Sequence, residues 1–193
     1  MQEDEAGQEF NVIYQKYHDD IYRFLMKLTV YNSYLAEELT QETFYRVYLS
    51  IGSFKGKCHI KTWICQMAKN IYYLYLRKNK KTNNLNVSSS VFDKEYTCEK
   101  AHIRSTEEVY ENKEMIKIII KIINSFKEIN KNIMIYRIFF NMPYSEISIL
   151  LGISETSAKV IYHRGKIVLQ DKLREEYSYE IWLWSHQRFI TYL

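Results

Sequence analysis

The sequence predicts an all-α protein: two small helical domains joined by a flexible linker and followed by an aromatic-rich C-terminal tail. Three observations carry this. First, apolar residues recur at three/four spacing over long stretches, the signature of amphipathic helices. Second, 193 residues contain five Gly and one Pro, too few turn residues for a β-sandwich or barrel. Third, the periodicity lapses between Asn79 and Asn112, where Asn83-Asn84 and Ser88-Ser89-Ser90 stand among scattered charges. So long a loop inside one domain is unusual, which favours two domains, over 8–78 and 113–174, with a linker at 79–112.

The elements follow in order. Phe10, Ile13, Tyr14, Tyr17, Ile21, Phe24, Leu25 and Leu28 line one face of a first helix of about five turns. Asn32-Ser33 offers an N-cap to a second, with Leu35, Leu39, Val47 and Ile51 inward and an end near Gly52. A polar, basic loop, Ser53 to His59, leads to a third helix from near Ile60, whose apolar set is Ile60, Trp63, Ile64, Met67, Ala68, Ile71, Leu74 and Tyr75. The linker holds a short helix near Ser105–Tyr110. From Lys113, Met115, Ile116, Ile119, Ile122, Ile123 and Phe126 form one apolar face. Ile133, Met134, Tyr136, Ile138 and Phe139 belong to the next helix. Asn141-Met142-Pro143 breaks the chain, and Pro143 suits the first position of a new helix. That helix runs to Leu151, Gly152 ends it, and Ser154 caps a last helix reaching toward Leu173.

Charge is unevenly spread. Residues 1–53 hold nine acidic against four basic side chains, whereas 54–82 hold eight basic and no acidic ones. A one-sign block interleaved with Phe54, His59, Trp63, Tyr72, Tyr73 and Tyr75 suits nucleic acid, with cations for phosphates and rings for bases; the plainer reading is a solvated basic helix face. The acidic start lacks the apolar stretch of a signal peptide, and no apolar run is long enough to span a membrane. Three scattered Cys make no disulfide framework. Cys58-His59 and Cys65 lack zinc spacing, and Cys98 and His102 come together only if their segment is helical. No phosphate-cradling Gly loop or nucleophile motif appears, and Asp19-Asp20 and Glu37-Glu38 read as solvated surface. No metal, cofactor or catalysis by this chain is expected, and its location is expected to be cytoplasmic.

Tyr144 to Arg164 has the logic of a helix-turn-helix, with an ordinary helical hairpin as the plainer alternative. Ser148 is small where a second helix would cross. Gly152 suits a left-handed turn. Ile147, Leu151, Ile153 and Ala158 fill the core between the helices. Thr156, Ser157, Lys159, His163, Arg164 and Lys166 are polar residues able to reach bases or phosphates from a helix in the major groove.

With these residues in place, the chain resembles a bacterial extracytoplasmic-function (ECF) sigma factor of the sigma-70 family, carrying regions 2 and 4 only. The resemblance extends to about Leu173. The family pattern Asp-x-x-Gln-Glu-x-Phe reads here Glu38-Leu39-Thr40-Gln41-Glu42-Thr43-Phe44. Phe-x-Gly, Thr-Trp-Leu, Ala-x-Asn and Arg follow as Phe54-Lys55-Gly56, Thr62-Trp63-Ile64, Ala68-Lys69-Asn70 and Arg77.

The resemblance implies a factor that binds core RNA polymerase, directs it to promoters and helps melt them. It implies a polymerase-docking face at Glu38, Leu39, Gln41, Glu42 and Phe44, with core packing the other reading for Phe44. An acidic helix facing a basic coiled coil is electrostatically sensible. It implies −10 contacts by Phe54, Lys55, Lys57, His59, Lys61, Asn70 and Arg77, holding an unstacked base and its backbone. Trp63, on the apolar face, reads as a core anchor rather than a base stacker. It implies −35 contacts by Thr156, Ser157, Lys159, His163, Arg164 and Lys166. The common Thr-Val-Lys-Ser-Arg-Leu reads here Ser157-Ala158-Lys159-Val160-Ile161-Tyr162, so Val160 replaces a hydroxyl and Ile161 a base, and the preferred −35 sequence should differ. The Leu-Pro that usually precedes region 4 is absent at Ser125-Phe126-Lys127-Glu128. Partners implied are core polymerase, promoter DNA (−35 duplex, −10 single strand) and an anti-sigma factor, through which any membrane tethering would be indirect. The tail, 175–193, either packs on the chain itself or regulates it. A different class, a stand-alone helix-turn-helix regulator with an N-terminal sensing or dimerisation domain, is the alternative.

Overall fold

Helices make every regular element among the described residues of the computed structural model, 2–83 and 106–177, and no strand occurs there. The described backbone groups into two compact units, residues 2–56 with 63–83 and residues 57–62 with 106–177.

In the first unit, α1 (Gln2–Leu28) buries Ile13, Ile21, Phe24, Leu25 and Leu28 on the predicted face. It starts well before Phe10, because the acid-rich leading turns suit a helix N-terminus even without apolar period. The reversal to α2 (Ser33–Ser50) places Val30 and Tyr31 in the left-handed region (φ 55° and 59°). A β-branched residue is a rare choice there. Asn32 caps α2, accepting a hydrogen bond from Leu35 N at 3.0 Å. The buried stripe of α2 is Ala36, Leu39, Thr40, Thr43, Phe44 and Val47. Its two hydroxyls donate to carbonyls of their own helix, Thr40 to Ala36 (2.7 Å) and Thr43 to Leu39 (2.6 Å), so neither is left without a partner inside. A short 3₁₀ turn, Ile51–Ser53, carries the chain toward α3 (Ile60–Asn83), which buries Ile64, Cys65, Ala68, Ile71 and Tyr72.

In the second unit, α4 (Thr106–Asn124) absorbs both the short helix expected near Ser105–Tyr110 and the apolar face from Met115. α5 (Glu128–Phe139) is buried almost all round, over Asn132 to Tyr136 and again at Ile138 and Phe139, which makes it the central helix of the unit. Pro143 is the N-cap of α6 (Tyr144–Leu151), one position earlier than expected; its carbonyl accepts from Glu146 and Ile147 N, both at 3.1 Å. Gly152 closes α6 in the left-handed conformation (φ 65°), as the sequence predicts. α7 (Glu155–Tyr177) packs on α4, α5 and α6 through Ala158, Gly165, Leu169 and Leu173. Residues 84–105 of the expected linker and 178–193 of the tail, including Cys98 and His102, lie outside the described residues.

Candidate functional site

The α2 surface is built on the helix whose other side is the core stripe. Glu38 and Gln41 are exposed and Glu42 is half-buried. Gln41 Nε2 donates to Glu37 Oε1 (3.1 Å), and Arg46 Nε pairs with Glu42 Oε1 (2.6 Å). Glu38, Leu39, Gln41, Glu42, Tyr45 and Arg46 line one wall of an open groove of about 500 Å³, and Ile71, Leu74, Tyr75 and Lys78 of α3 line the other. Leu39 and Phe44 do not share the exposed surface: they are 3% and 2% exposed. The Phe44 ring meets Tyr14 edge-on, centroids 4.9 Å apart. Helix phase turns Phe44 toward Tyr14 of α1, whereas Leu39, five residues earlier and about 140° round the helix, borders the groove shared with α3. Sequence reasoning missed the exposed Tyr34, Tyr45, Tyr48 and Leu49 of α2. Tyr34, Glu38, Gln41, Tyr45 and Tyr48 follow one another at three/four spacing, and that spacing was the available signal.

The −10 candidates divide. Lys55, Lys57 and His59 are exposed in the loop before α3, where Gly56 adopts φ 65°. Phe54 and Trp63 are both half-buried, their ring centroids 5.1 Å apart. Asn70 and Arg77, seven residues apart, share one exposed side of α3. Lys61 is half-buried nine residues before Asn70, on the opposite side of the helix.

The last two helices carry the third surface. Ser154 caps α7, its Oγ accepting from Ser157 N at 3.0 Å. Ile147 and Ala158 are buried between α6 and α7, while Leu151 and Ile153 are half-buried. Ser148 is half-buried on α6 and donates its hydroxyl to Ser145 O (2.7 Å). A separate close approach, of α7 to α5, falls at Gly165: a Cβ there would stand 2.8 Å from Met134 Sδ. Thr156, Ser157, Lys159, His163 and Arg164 are exposed, and Lys166 is half-buried. Tyr144, at the start of α6, ties the elements together. Its ring lies 4.8 Å from the Arg137 guanidinium of α5, 5.9 Å from Tyr162 and 5.9 Å from the Lys159 ammonium. Burial, then the neighbouring Tyr144, pushes the Tyr162 phenol up, and Arg137 opposes them. Lys159 also pairs with Glu155 at 2.7 Å. Among the described residues no cluster of three or more His, Cys, Asp or Glu could hold a metal, and no helix is long and apolar enough to cross a membrane.

An αL glycine, a capped following helix and an exposed polar face give α6 and α7 the geometry of a helix-turn-helix. The profile of Sigma-70 region 2 matches residues 13–82, and that of Sigma-70 region 4 matches residues 116–169. The ECF RNA polymerase sigma factor SigM of Bacillus subtilis (strain 168) is 46% identical over 69 residues, which cover 36% of this chain and 41% of that protein. Two further relatives from that organism match over most of their length. RNA polymerase sigma factor YlaC is 24% identical over 173 residues, 85% of this chain and 93% of that protein. ECF RNA polymerase sigma factor SigX is 26% identical over 170 residues, 86% of each. The fold is shared with the sigma factor RpoE of Bartonella quintana, solved with the anti-sigma factor NepR (TM-score 0.60, 19% identity, 88% of this chain and 99% of that one). It is shared also with CnrH, solved with the cytosolic domain of CnrY (TM-score 0.57, 10% identity, 86% and 88%). This chain belongs to the sigma-70 family as an ECF, alternative sigma factor.

Proposed function

We propose that this chain binds core RNA polymerase, directs it to specific promoters and helps melt the −10 region. Region 2 would span 8–78 and region 4 would span 113–174. The supporting observation is the presence in one chain of a groove between α2 and α3, lined by Glu38, Gln41 and Glu42 with Arg46 and Lys78, and a capped α7 with exposed Lys159, His163 and Arg164. The first surface, of mixed charge beside exposed tyrosines, suits a protein partner; the second suits a duplex. Glu38, Gln41 and Glu42 are the docking residues, with Leu39 and Phe44 holding them from inside. Lys55, Lys57 and His59 engage the −10 backbone, and Asn70 and Arg77 engage the strand from their shared side of α3. Thr156, Ser157, His163 and Arg164 face the −35 duplex, flanked by Lys159 and Lys166. An anti-sigma factor would hold the protein inactive by covering the exposed tyrosines of α2. The chemistry of RNA synthesis belongs to the polymerase.

The test is reconstitution of full-length protein with purified bacterial core RNA polymerase, followed by run-off transcription on a fragmented genomic library. Stoichiometric binding and new, defined transcript starts are expected. Lys159→Ala and Arg164→Ala should weaken −35-dependent transcription with core binding intact, each lowering the salt slope of duplex binding by about 0.9. Glu38→Lys with Gln41→Ala should abolish holoenzyme formation by a folded protein. Binding to duplex DNA as a dimer without polymerase would instead establish a stand-alone regulator.

A further inference from the structure

The polar residues of α7 do not all point the same way. At 3.6 residues per turn, Ala158, Gly165 and Leu169 mark the side packed against the unit. Lys159 and Lys166 fall on one flank. Lys159 is held there by Glu155 at 2.7 Å, with the Tyr144 ring of α6 5.9 Å from its ammonium. Opposite the packed side, in the first two turns, stands Val160, 42% exposed. Thr156 and His163 border it on one side, Ser157 and Arg164 on the other, all exposed.

An exposed valine on a helix is by itself ordinary. Its position here is not: it is the crest of the helix whose N-terminal half enters the major groove in this architecture. It also stands where the family pattern has a hydroxyl. Each base pair presents a distinct pattern in the major groove, and thymine alone adds a methyl group there, which apolar side chains contact. We infer that Val160 is a specificity-determining residue that reads a thymine methyl in the −35 element, with Lys159 on the flank contacting phosphate. This rests on α7 being the −35 reader.

The test uses holoenzyme. A promoter library randomised over the −35 element is selected with wild-type protein. The winning duplex is then remade with uracil for thymine, which removes methyl groups and leaves every hydrogen-bonding group in place. Wild-type holoenzyme should enrich a thymine and bind the uracil duplex about fourfold more weakly, the size expected for one buried methyl. Val160→Ser should bind both duplexes equally and lose the thymine preference, while its holoenzyme formation and helical content stay unchanged. Equal uracil sensitivity in wild type and Val160→Ser, or no sensitivity in wild type, would overturn the assignment to Val160 and leave the −35 reading standing. A wild-type holoenzyme that enriches no −35 sequence would overturn the −35 reading and this inference with it.

Discussion

α2 and α7 are helices of comparable length that are anchored in opposite ways. α2 holds its place with bulky or branched side chains, Leu39, Thr40, Thr43, Phe44 and Val47, around one small residue, Ala36. α7 packs its first three turns through Ala158 and Gly165, so its backbone lies against α5 and a wide arc of the helix is left outward. The outward arcs differ in charge as well. α2 sets Glu37, Glu38 and Glu42 against Arg46, whereas the first four turns of α7 set Lys159, Arg164 and Lys166 against Glu155. The residues that pack a helix therefore also decide how much of it remains for a partner.

The largest effect is expected at Phe44. Phe44→Ala should destabilise the first unit by about 3–5 kcal/mol, the cost of emptying a buried aromatic site. Hydrogen exchange should rise across α1 to α3 and stay as it was across α4 to α7; equal loss in both would show that the units do not unfold separately. For the same reason a polymerase-binding defect in Phe44→Ala would report unfolding, not a lost contact. Gly165→Val is the corresponding test of α7. Overpacking against Met134 should cost about 1–3 kcal/mol, read from the denaturant midpoint and confined to α4 to α7. Gly165→Ala should cost less, because a gain in helix propensity of about 1 kcal/mol offsets part of the crowding.

The smallest effect is expected at Tyr72, in the core of the first unit. Burial, then the neighbouring Tyr75, holds the Tyr72 phenol above its ordinary value of 10.0. Below that pH both folded and unfolded chains are neutral at this site, and Tyr72→Phe should leave the pH dependence unchanged. Above it the unfolded chain ionises first, so wild-type stability falls as pH rises toward the folded value, by about 1.4 kcal/mol per pH unit. Tyr72→Phe should lack that component of the alkaline loss. Identical slopes in urea melts between pH 10 and 11 would show that the phenol reaches solvent.

Much of the fold follows from short-range rules that a sequence displays directly. The Asn32 and Ser154 caps, the Gly152 stop and the start of α3 at Ile60 are decided by groups within four residues of one another. The apolar face of α1 follows from its period, and the helix-turn-helix geometry of α6 and α7 was readable from Gly152 and Ser154.

What the sequence could not display was how the chain reverses and which faces are covered. Val30 and Tyr31 take left-handed conformations that neither favours alone, because the α1–α2 turn must close over a shared core. Leu39 and Phe44 sit within the family's Gln-Glu motif, yet both are buried; Lys61 and Asn70 belong to one basic stretch, yet helix phase sets them on opposite sides of α3. Gly165 looks like a poor helix residue until α5 is laid against it. Local sequence determined where helices begin and end and which residues are apolar. Tertiary structure decided which of those residues any partner could touch, because burial depends on helices that are distant along the chain.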